Sequence, residues 1–516
     1  MPFSSESGKA WKKQSIKRLI GKCTNKSILD VGAGAGTYSD LLRPILPGAT
    51  FAAIEVWEPY VEQYHLKQKY DELYQQDVRE FVPDKRYGVT IFGDVLEHLI
   101  KEEAIEVYNK LLESSEFVLI SIPIVHYPQG PYRDNPYEEH KKDDWSHEEV
   151  MATFPHLALS HTENEIGMYV GFNPELYTEK DVIDAHAPTI AVYGIYKNEA
   201  AFMQRFLESV KQADEIVLCD TGSTDGTNEI ISEFRKSNPD VPLSTYKILV
   251  SPWRFDDARN TVLSLVNPEI DLCISLDIDE YLMDGWKEHL INQWEYGYTR
   301  YYHKFKTFWP GGGESEHWHE RIHSRLGYTW KLPVHEILEY NGEEKVKYIP
   351  EFWMYQKPDT SKSRSSYLPL LEQSVKERKD VWKSWSFLAE EYISAGRYDD
   401  AMKAIETAIN IENSDKSYLY YMKSRVYSAR NETALVKLSL DQAIHFLPGR
   451  REPYYSKALY LHQIGNNTEA WFALKEAERI QDRITDYHYN ASAWDESFEQ
   501  LKKTVLELAR KEGQLL

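Results

Sequence analysis

Apolar runs of four to seven residues alternate with amphipathic stretches over residues 26–125. Ser27-Ile-Leu-Asp30-Val predicts a short buried strand, and residues 51–55, 87–93 and 117–123 predict three more. Residues 101–113 carry apolar side chains three and four apart and predict a helix between the last two. Strand and helix in alternation imply an open α/β sheet. Residues 127–150 break the pattern with Pro, Tyr, His and charge, and predict a loop over a substrate, ahead of strands at 157–160 and 168–172.

The pattern restarts near Pro188. Residues 189–195 predict a strand, 199–211 a helix and 215–220 a strand, and the run Asp271-Leu-Cys-Ile-Ser-Leu-Asp277 again ends on a carboxylate. From about residue 380 the texture is helical and periodic. Trp385, Leu388, Ala389, Tyr392, Ala401, Ile405 and Ala408 alternate large and small side chains in the order of a tetratricopeptide repeat. Ala408, Ala443 and Ala477 recur at spacings of 35 and 34, and Pro448 follows where that repeat ends a helix. The middle copy is degenerate, since residues 431–440 lack a clear small residue at the crossing point. Three units and a polar helix over 499–510 predict a short solenoid. The expected domains are 1–186, 187–358 and 359–516.

Composition narrows the partners. The 516 residues carry 82 acidic and 60 basic side chains, a formal charge of −22, so a nucleic-acid backbone is an unfavoured partner. The 36 Tyr and 14 Trp suit polar ligands that stack on rings. Cys23, Cys219 and Cys273 lie far apart in apolar runs and read as buried free thiols of a reducing compartment. With no apolar leader and no window of 18 apolar residues, a cytoplasmic location without a membrane span is expected.

Asp30-Val-Gly32-Ala-Gly34-Ala-Gly36 follows a strand and opens toward a helix, a loop whose glycines let a ligand approach backbone amides. Glu55 ends the next strand 23 residues after Gly32, where a carboxylate can accept from ribose hydroxyls. Residues 20–125 resemble class I methyltransferases that use S-adenosylmethionine. The resemblance rests on Asp30 to Gly36, Glu55, Gln76-Asp77-Val and Phe92-Gly-Asp94-Val-Leu-Glu97-His98. It implies a Rossmann-like domain whose cofactor is held by Asp30, Gly32, Gly34, Gly36, Glu55, Asp77 and Asp94. Methyl transfer needs an aligned acceptor and one base. His98 and His140 are the candidates for catalysis, with Glu138, Glu139 and Trp145 on the acceptor side.

Asp220-Thr-Gly-Ser-Thr-Asp225 and Asp277-Ile-Asp279-Glu280 place carboxylates at the ends of predicted strands. The second pair ends a predicted buried strand, where residues two apart share a face, so Asp277 and Asp279 can converge on one divalent ion. Residues 188–340 resemble family 2 glycosyltransferases of the GT-A fold, through Ile195-Tyr-Lys197-Asn198-Glu199, both acidic motifs, Trp253-Arg-Phe-Asp256-Asp257-Ala-Arg259-Asn260 and Val334-His335-Glu336. The resemblance implies that Asp220, Asp225, Asp277 and Arg259 bind the nucleotide sugar and that Asp279, Asp277 and His335 hold Mn²⁺ or Mg²⁺. Glu320 and Glu336 are candidates for the base of an inverting transfer. Residues 309–313 read as a loop that orders over a donor.

The combined expectation is an α/β multidomain protein: a Rossmann-like methyltransferase domain, a GT-A domain and an all-α tetratricopeptide-like solenoid. It would pass a sugar from a nucleotide carrier, uridine diphosphate by preference, to a glycan or protein acceptor, and methylate a sugar hydroxyl. In the alternative, the methyltransferase-like domain serves acceptor binding or assembly. The repeats offer a face for the acceptor or for a second copy of the chain.

Overall fold

In the computed structural model the chain enters through α1 (Lys9–Lys22), which buries Trp11, Ile16, Leu19 and Ile20. It then alternates through β1 (Ser27–Val31), α2 (Thr37–Leu42), β2 (Thr50–Ile54), α3 (Glu58–Gln63), α4 (Leu66–Lys69), β3 (Glu72–Tyr74), β4 (Tyr87–Gly93), α5 (Lys101–Glu113) and β5 (Ser115–Pro123). The run closes with α6 (His147–Thr153), β6 (Leu157–Glu163), β7 (Ile166–Phe172) and α7 (Glu179–His186). Residues 4–310, 312–359, 367–484 and 490–511 are described. Contacts divide the chain into two units, Met1–Ala187 and Pro188–Leu516.

The strands of the first unit form one sheet in the order β3-β2-β1-β4-β5-β7-β6, parallel up to β5 and antiparallel in its last two pairings. Every residue of β1 and β4 is buried, as expected of parallel strands covered on both faces. α5 spans the residues its periodicity predicts and turns Ala104, Val107, Tyr108, Leu111 and Leu112 into the core. Strand order reverses between β1 and β4, and ligands of open α/β sheets bind outside the carboxyl ends of strands at such a point.

The second unit opens with β8 (Ile190–Tyr196), α8 (Ala200–Val210), β9 (Glu215–Asp220), α9 (Thr227–Ser237), β10 (Leu243–Lys247), α10 (Phe255–Leu265), β11 (Leu272–Ser275) and β12 (Glu280–Leu282). It continues through α11 (Trp286–Gln293), β13 (Arg300–Phe308), β14 (Glu314–Ser324), β15 (Tyr328–Lys331), β16 (Ile337–Tyr340) and β17 (Val346–Gln356). Eight strands pair in the order β10-β9-β8-β11-β14-β13-β17-β12, and β15 and β16 make a separate hairpin. The parallel strands β10, β9, β8 and β11 put their carboxyl ends on one edge, with a second reversal between β8 and β11. In the loop expected over 309–313, residue 311 lies outside the described residues.

Helices follow: α12 (Tyr367–Glu377), α13 (Trp382–Ser394), α14 (Tyr398–Ile409), α15 (Lys416–Ala429), α16 (Thr433–Phe446), α17 (Arg451–Gln463), α18 (Asn467–Arg479) and α19 (Glu496–Lys511). The second helix of each repeat buries the same four positions: Ala401, Ala404, Ile405 and Ala408 in α14, Val436, Ser439, Leu440 and Ala443 in α16, and Ala470, Ala473, Leu474 and Ala477 in α18. The middle copy is therefore less degenerate than its sequence suggests, because Ser439 supplies the small side chain. Val334 joins the apolar cluster of Leu371, Leu388 and Leu419, and Arg254 pairs with Glu377 at 2.6 Å, so the repeats continue the second sheet's region within one unit. All three cysteines are buried free thiols. No helix among the described residues is long and apolar enough to cross a membrane.

Candidate active sites

At the reversal between β1 and β4 lies a cavity of about 570 Å³, within the range of cofactor pockets. Gly32, Gly34, Glu55, Asp77, Asp94, His98, Glu138 and Glu139 line it. Gly32 has φ +66°, and a Cβ there would come within 2.8 Å of Val95 Cγ2, so only glycine leaves this wall smooth. Glu55 is buried at the tip of β2, where its carboxylate accepts from the amides of Gly34 and Trp57, both at 2.8 Å. Burial pushes this carboxyl up, against the pull of those amides.

Two of the acids meet partners that their spacing does not reveal. Asp77 is clasped by Arg79, through Nη2 at 2.7 Å and Nε at 3.0 Å, which holds its carboxyl below the ordinary range. Asp94, at φ +60°, accepts from the amide of Ser5 and from Ser121 Oγ, each at 2.8 Å. Lys12, fully buried in α1, donates to Ser121 Oγ at 3.0 Å; a lysine in a polar helix reads as surface, and the sequence gives no signal for it.

Asp30 and Gly36 are not brought to the cavity wall. Asp30 lies beneath the loop, fully buried, where the Tyr70 hydroxyl donates to it and burial pushes its carboxyl up to about 7. Gly36 takes φ +77° as the residue that starts α2. Trp145 is likewise a core residue, packed on Phe154, and not an acceptor-facing ring.

His98 and His140, 42 residues apart in sequence, meet edge to face with centroids 4.9 Å apart. Burial, with His140 alongside, pushes His98 down to about 4, and burial lowers His140 as well. Beside them Glu97 is buried and its Oε2 has no hydrogen-bond partner. Burial, reinforced by Asp94, pushes the Glu97 carboxyl well above the usual carboxylate range.

In the second unit the acids sit at the carboxyl edge of β9 and just beyond β11. Register pairs Asp220 with Tyr196 of β8, and Ser275 of β11 with Tyr193. The Asp220 carboxylate accepts from the amides of Ser223 at 2.7 Å and Gly222 at 2.9 Å and from Asn228 Nδ2 at 3.1 Å. Burial works to raise this carboxyl, but those three donors outweigh it and hold the group low. Asp225 accepts from Thr227 Oγ1 at 2.5 Å and from the amide of Ala200 at 3.1 Å, tying its turn to the start of α8.

β11 ends at Ser275, so Asp277 and Asp279 are turn residues and strand alternation does not set their direction. Instead, Asp277 is held by Arg259 Nη2 at 2.7 Å and by Arg321 Nη2 at 3.5 Å, and its amide donates to Glu280 at 2.9 Å. Asp279 accepts from Gln356 Nε2 at 3.3 Å. Arg259 also reaches Glu336 at 3.4 Å and lies 5.2 Å from the Trp330 ring centroid. Burial opposes its charge, yet Asp277 and Glu336 leave it above the ordinary arginine range. Glu280, which the sequence places in the motif without a role of its own, is buried and pushed up to about 8 by burial and by Asp277.

His335 is not brought to the acids as a third ligand. Its ring stacks on Phe387 of α13 with centroids 3.9 Å apart and meets Tyr367 edge to face. Among the described residues, one group of three His, Cys, Asp or Glu side chains has ligand atoms within 4.8 Å of one another: Glu97, His98 and His140. Glu320 accepts from Arg300 and Tyr302, each at 2.7 Å, outside the Arg259 network. A cavity of about 410 Å³ at Arg254, Asp257, Trp330 and Glu377 includes none of Asp220, Asp225, Asp277 or Asp279.

Comparison with known proteins finds similarities over parts of the chain. The chain is 28% identical over 101 residues to the lipopolysaccharide core biosynthesis glycosyltransferase LpsC of Rhizobium meliloti (strain 1021), which spans 20% of this chain and 35% of that protein. Solved structures similar to it include the N-terminal domain of EvdMO1 with SAH bound, at 15% identity and a TM-score of 0.26 over 33% of this chain and 82% of that one. Another is the TPR2B domain of yeast Sti1 in its pHsp70 complex, at 16% identity and a TM-score of 0.21 over 24% of this chain and 96% of that one. Residues 194–358 match the model of Glycosyl transferase family 2. The centre of the chain is thus a GT-A-like glycosyltransferase domain, preceded by an α/β unit and followed by an all-α repeat region.

Proposed function

We propose that the chain is a transferase with two centres: an inverting, metal-dependent glycosyltransferase using a nucleotide sugar, in our reading a uridine diphosphate sugar, and an S-adenosylmethionine-dependent O-methyltransferase. The acceptor would be a glycan or protein held by the repeats, and the methylated group a sugar hydroxyl. The observation that carries this reading is that each unit collects its acids at the carboxyl edge of a reversing sheet, the place where such folds bind nucleotides.

The donor set of the second unit fits a hard divalent cation, since Asp277 and Asp279 offer carboxylate oxygens. Asp279 would be the direct ligand, because Arg259 and Arg321 already claim Asp277. A cation bound there neutralises the charge left on the departing diphosphate. Arg259 positions Asp277, and Glu336, which shares that arginine, is the proposed base. In the first unit, the 570 Å³ cavity and its glycine wall fit an adenosine cofactor. S-adenosylmethionine supplies an activated methyl group when bound. Glu55 would accept from its ribose hydroxyls and Asp77 from its adenine amino group, while Glu138, Glu139 and Lys141 on the same cavity would face the acceptor.

Purified protein incubated with Mn²⁺ and a panel of nucleotide sugars should hydrolyse one donor slowly, and calorimetry should detect S-adenosylmethionine binding. Failure of every donor would remove the glycosyltransferase half of the reading; failure to bind the cofactor would remove the other half.

A further inference from the structure

Glu97 ends up beside two imidazoles because its own carbonyl accepts from the amides of Lys141 at 2.8 Å and Lys142 at 3.1 Å. Those bonds pin the segment carrying His140 against the turn carrying Glu97 and His98. Each ring is then oriented by a main-chain carbonyl: His98 Nδ1 faces Glu139 O at 3.3 Å, and His140 Nδ1 faces Tyr127 O at 2.6 Å. A carbonyl only accepts, so each Nδ1 carries the proton and each Nε2 presents a lone pair. Metal-bound histidines are fixed in this way, with the distal nitrogen tethered to a carbonyl or carboxylate.

The third member supplies a negative charge once a cation displaces its proton. One ligand atom from each of Glu97, His98 and His140 lies within 4.8 Å of the others, close enough for a single ion to span. The carboxylate is 2% exposed, and its Oε2 has no hydrogen-bond partner. A buried polar oxygen left unpaired is costly, and a cation would satisfy it. His98 also lines the cofactor cavity, as do Glu138 and Glu139, so an ion held here would sit at the cavity's edge.

Resting on the methyltransferase reading of residues 1–187, we propose that Glu97, His98 and His140 form a divalent transition-metal site whose open positions take the hydroxyl oxygen of the methyl acceptor. Two imidazoles and one carboxylate favour Mn²⁺, Co²⁺ or Zn²⁺ over Mg²⁺ or Ca²⁺. Coordination weakens the acceptor O–H bond, and its proton passes to water. The oxygen then attacks the methyl carbon, the new C–O bond forms as the C–S bond breaks, and the electron pair stays on sulfur as S-adenosylhomocysteine leaves. This assigns His98 and His140 to the cation and not to direct proton removal.

The test uses the full chain carrying Asp279→Ala, which removes the proposed cation ligand of the second unit. Mn²⁺ is added and pulsed electron paramagnetic resonance is read for coupling to ¹⁴N, while S-adenosylmethionine binding is followed by calorimetry. The site predicts coupling to two imidazole ¹⁴N nuclei that falls to one in His140→Gln, with Mn²⁺ affinity lowered at least about tenfold. Glu97→Gln, which keeps the side-chain shape, should lower Mn²⁺ affinity as well and serves as the second variant if His140→Gln does not fold. Cofactor binding without ¹⁴N coupling, or coupling unchanged in both variants, would overturn the site alone. Absence of cofactor binding in the parent chain would overturn the methyltransferase reading beneath it.

Discussion

The two switch points share a topology and differ in how much open space and unpaired polarity they leave. At the first, polar groups surround a cavity and one buried carboxylate oxygen is left unpaired. At the second, Asp220, Asp225 and Asp277 are already bound by amides, a hydroxyl and guanidinium groups. The first site is built by leaving space and the second by holding charge in place. The difference predicts where each is fragile: filling space should damage the first, and removing a charge should damage the second.

Arg259→Met probes the second site most severely. It leaves Glu336 without its guanidinium and Asp277, 35% exposed, with Arg321 alone, and should cost about 2–4 kcal/mol, less than breaking a fully buried ion pair. Hydrogen exchange should show the loss in β8 and β11 and leave β1 and β4 unchanged.

Asp30 gives the next effect. Burial pushes its carboxyl up to about 7, above the ordinary 3.8, so the folded state holds a proton that the unfolded chain releases between those values. Stability of the first unit should therefore fall as pH rises from about 4 to 7, by at most about 1.4 kcal/mol per pH unit. Asp30→Asn should flatten that slope in denaturant titrations taken across the window.

Gly32→Ala is smaller in energy but aimed at the cavity. A side chain at φ +66° facing Val95 should cost about 1–3 kcal/mol and weaken S-adenosylmethionine binding in calorimetry. Ser439→Ala is the smallest. It replaces one small buried residue by the alanine its counterparts carry at 404 and 473, and should move the repeat region's thermal transition by less than about 0.5 kcal/mol.

Much of the scaffold is legible because it is local. α5 and β4 follow directly from periodicity and from unbroken apolar runs. The placement of Asp277 is not, because β11 stops at Ser275 and a guanidinium from α10 then decides where the carboxylate points. His335 reads as a ligand beside Glu336, yet its ring is captured by Phe387, 52 residues later in a different structural layer. His98 and His140 stand out in the sequence one by one, as candidates. Their meeting with Glu97 depends on two backbone hydrogen bonds that no side-chain pattern encodes. Lys12 is hidden for the same reason, since its burial is imposed by Asp94 and Ser121, far along the chain.

The central claim is that one chain carries two separable transfer centres. Donor hydrolysis in Mn²⁺ and S-adenosylmethionine binding, measured side by side on Asp279→Ala and Gly32→Ala, test it most directly. The account predicts that Asp279→Ala loses donor hydrolysis by about a hundredfold or more while the cofactor still binds, and that Gly32→Ala does the reverse. A single substitution that abolishes both activities in a folded protein would contradict it.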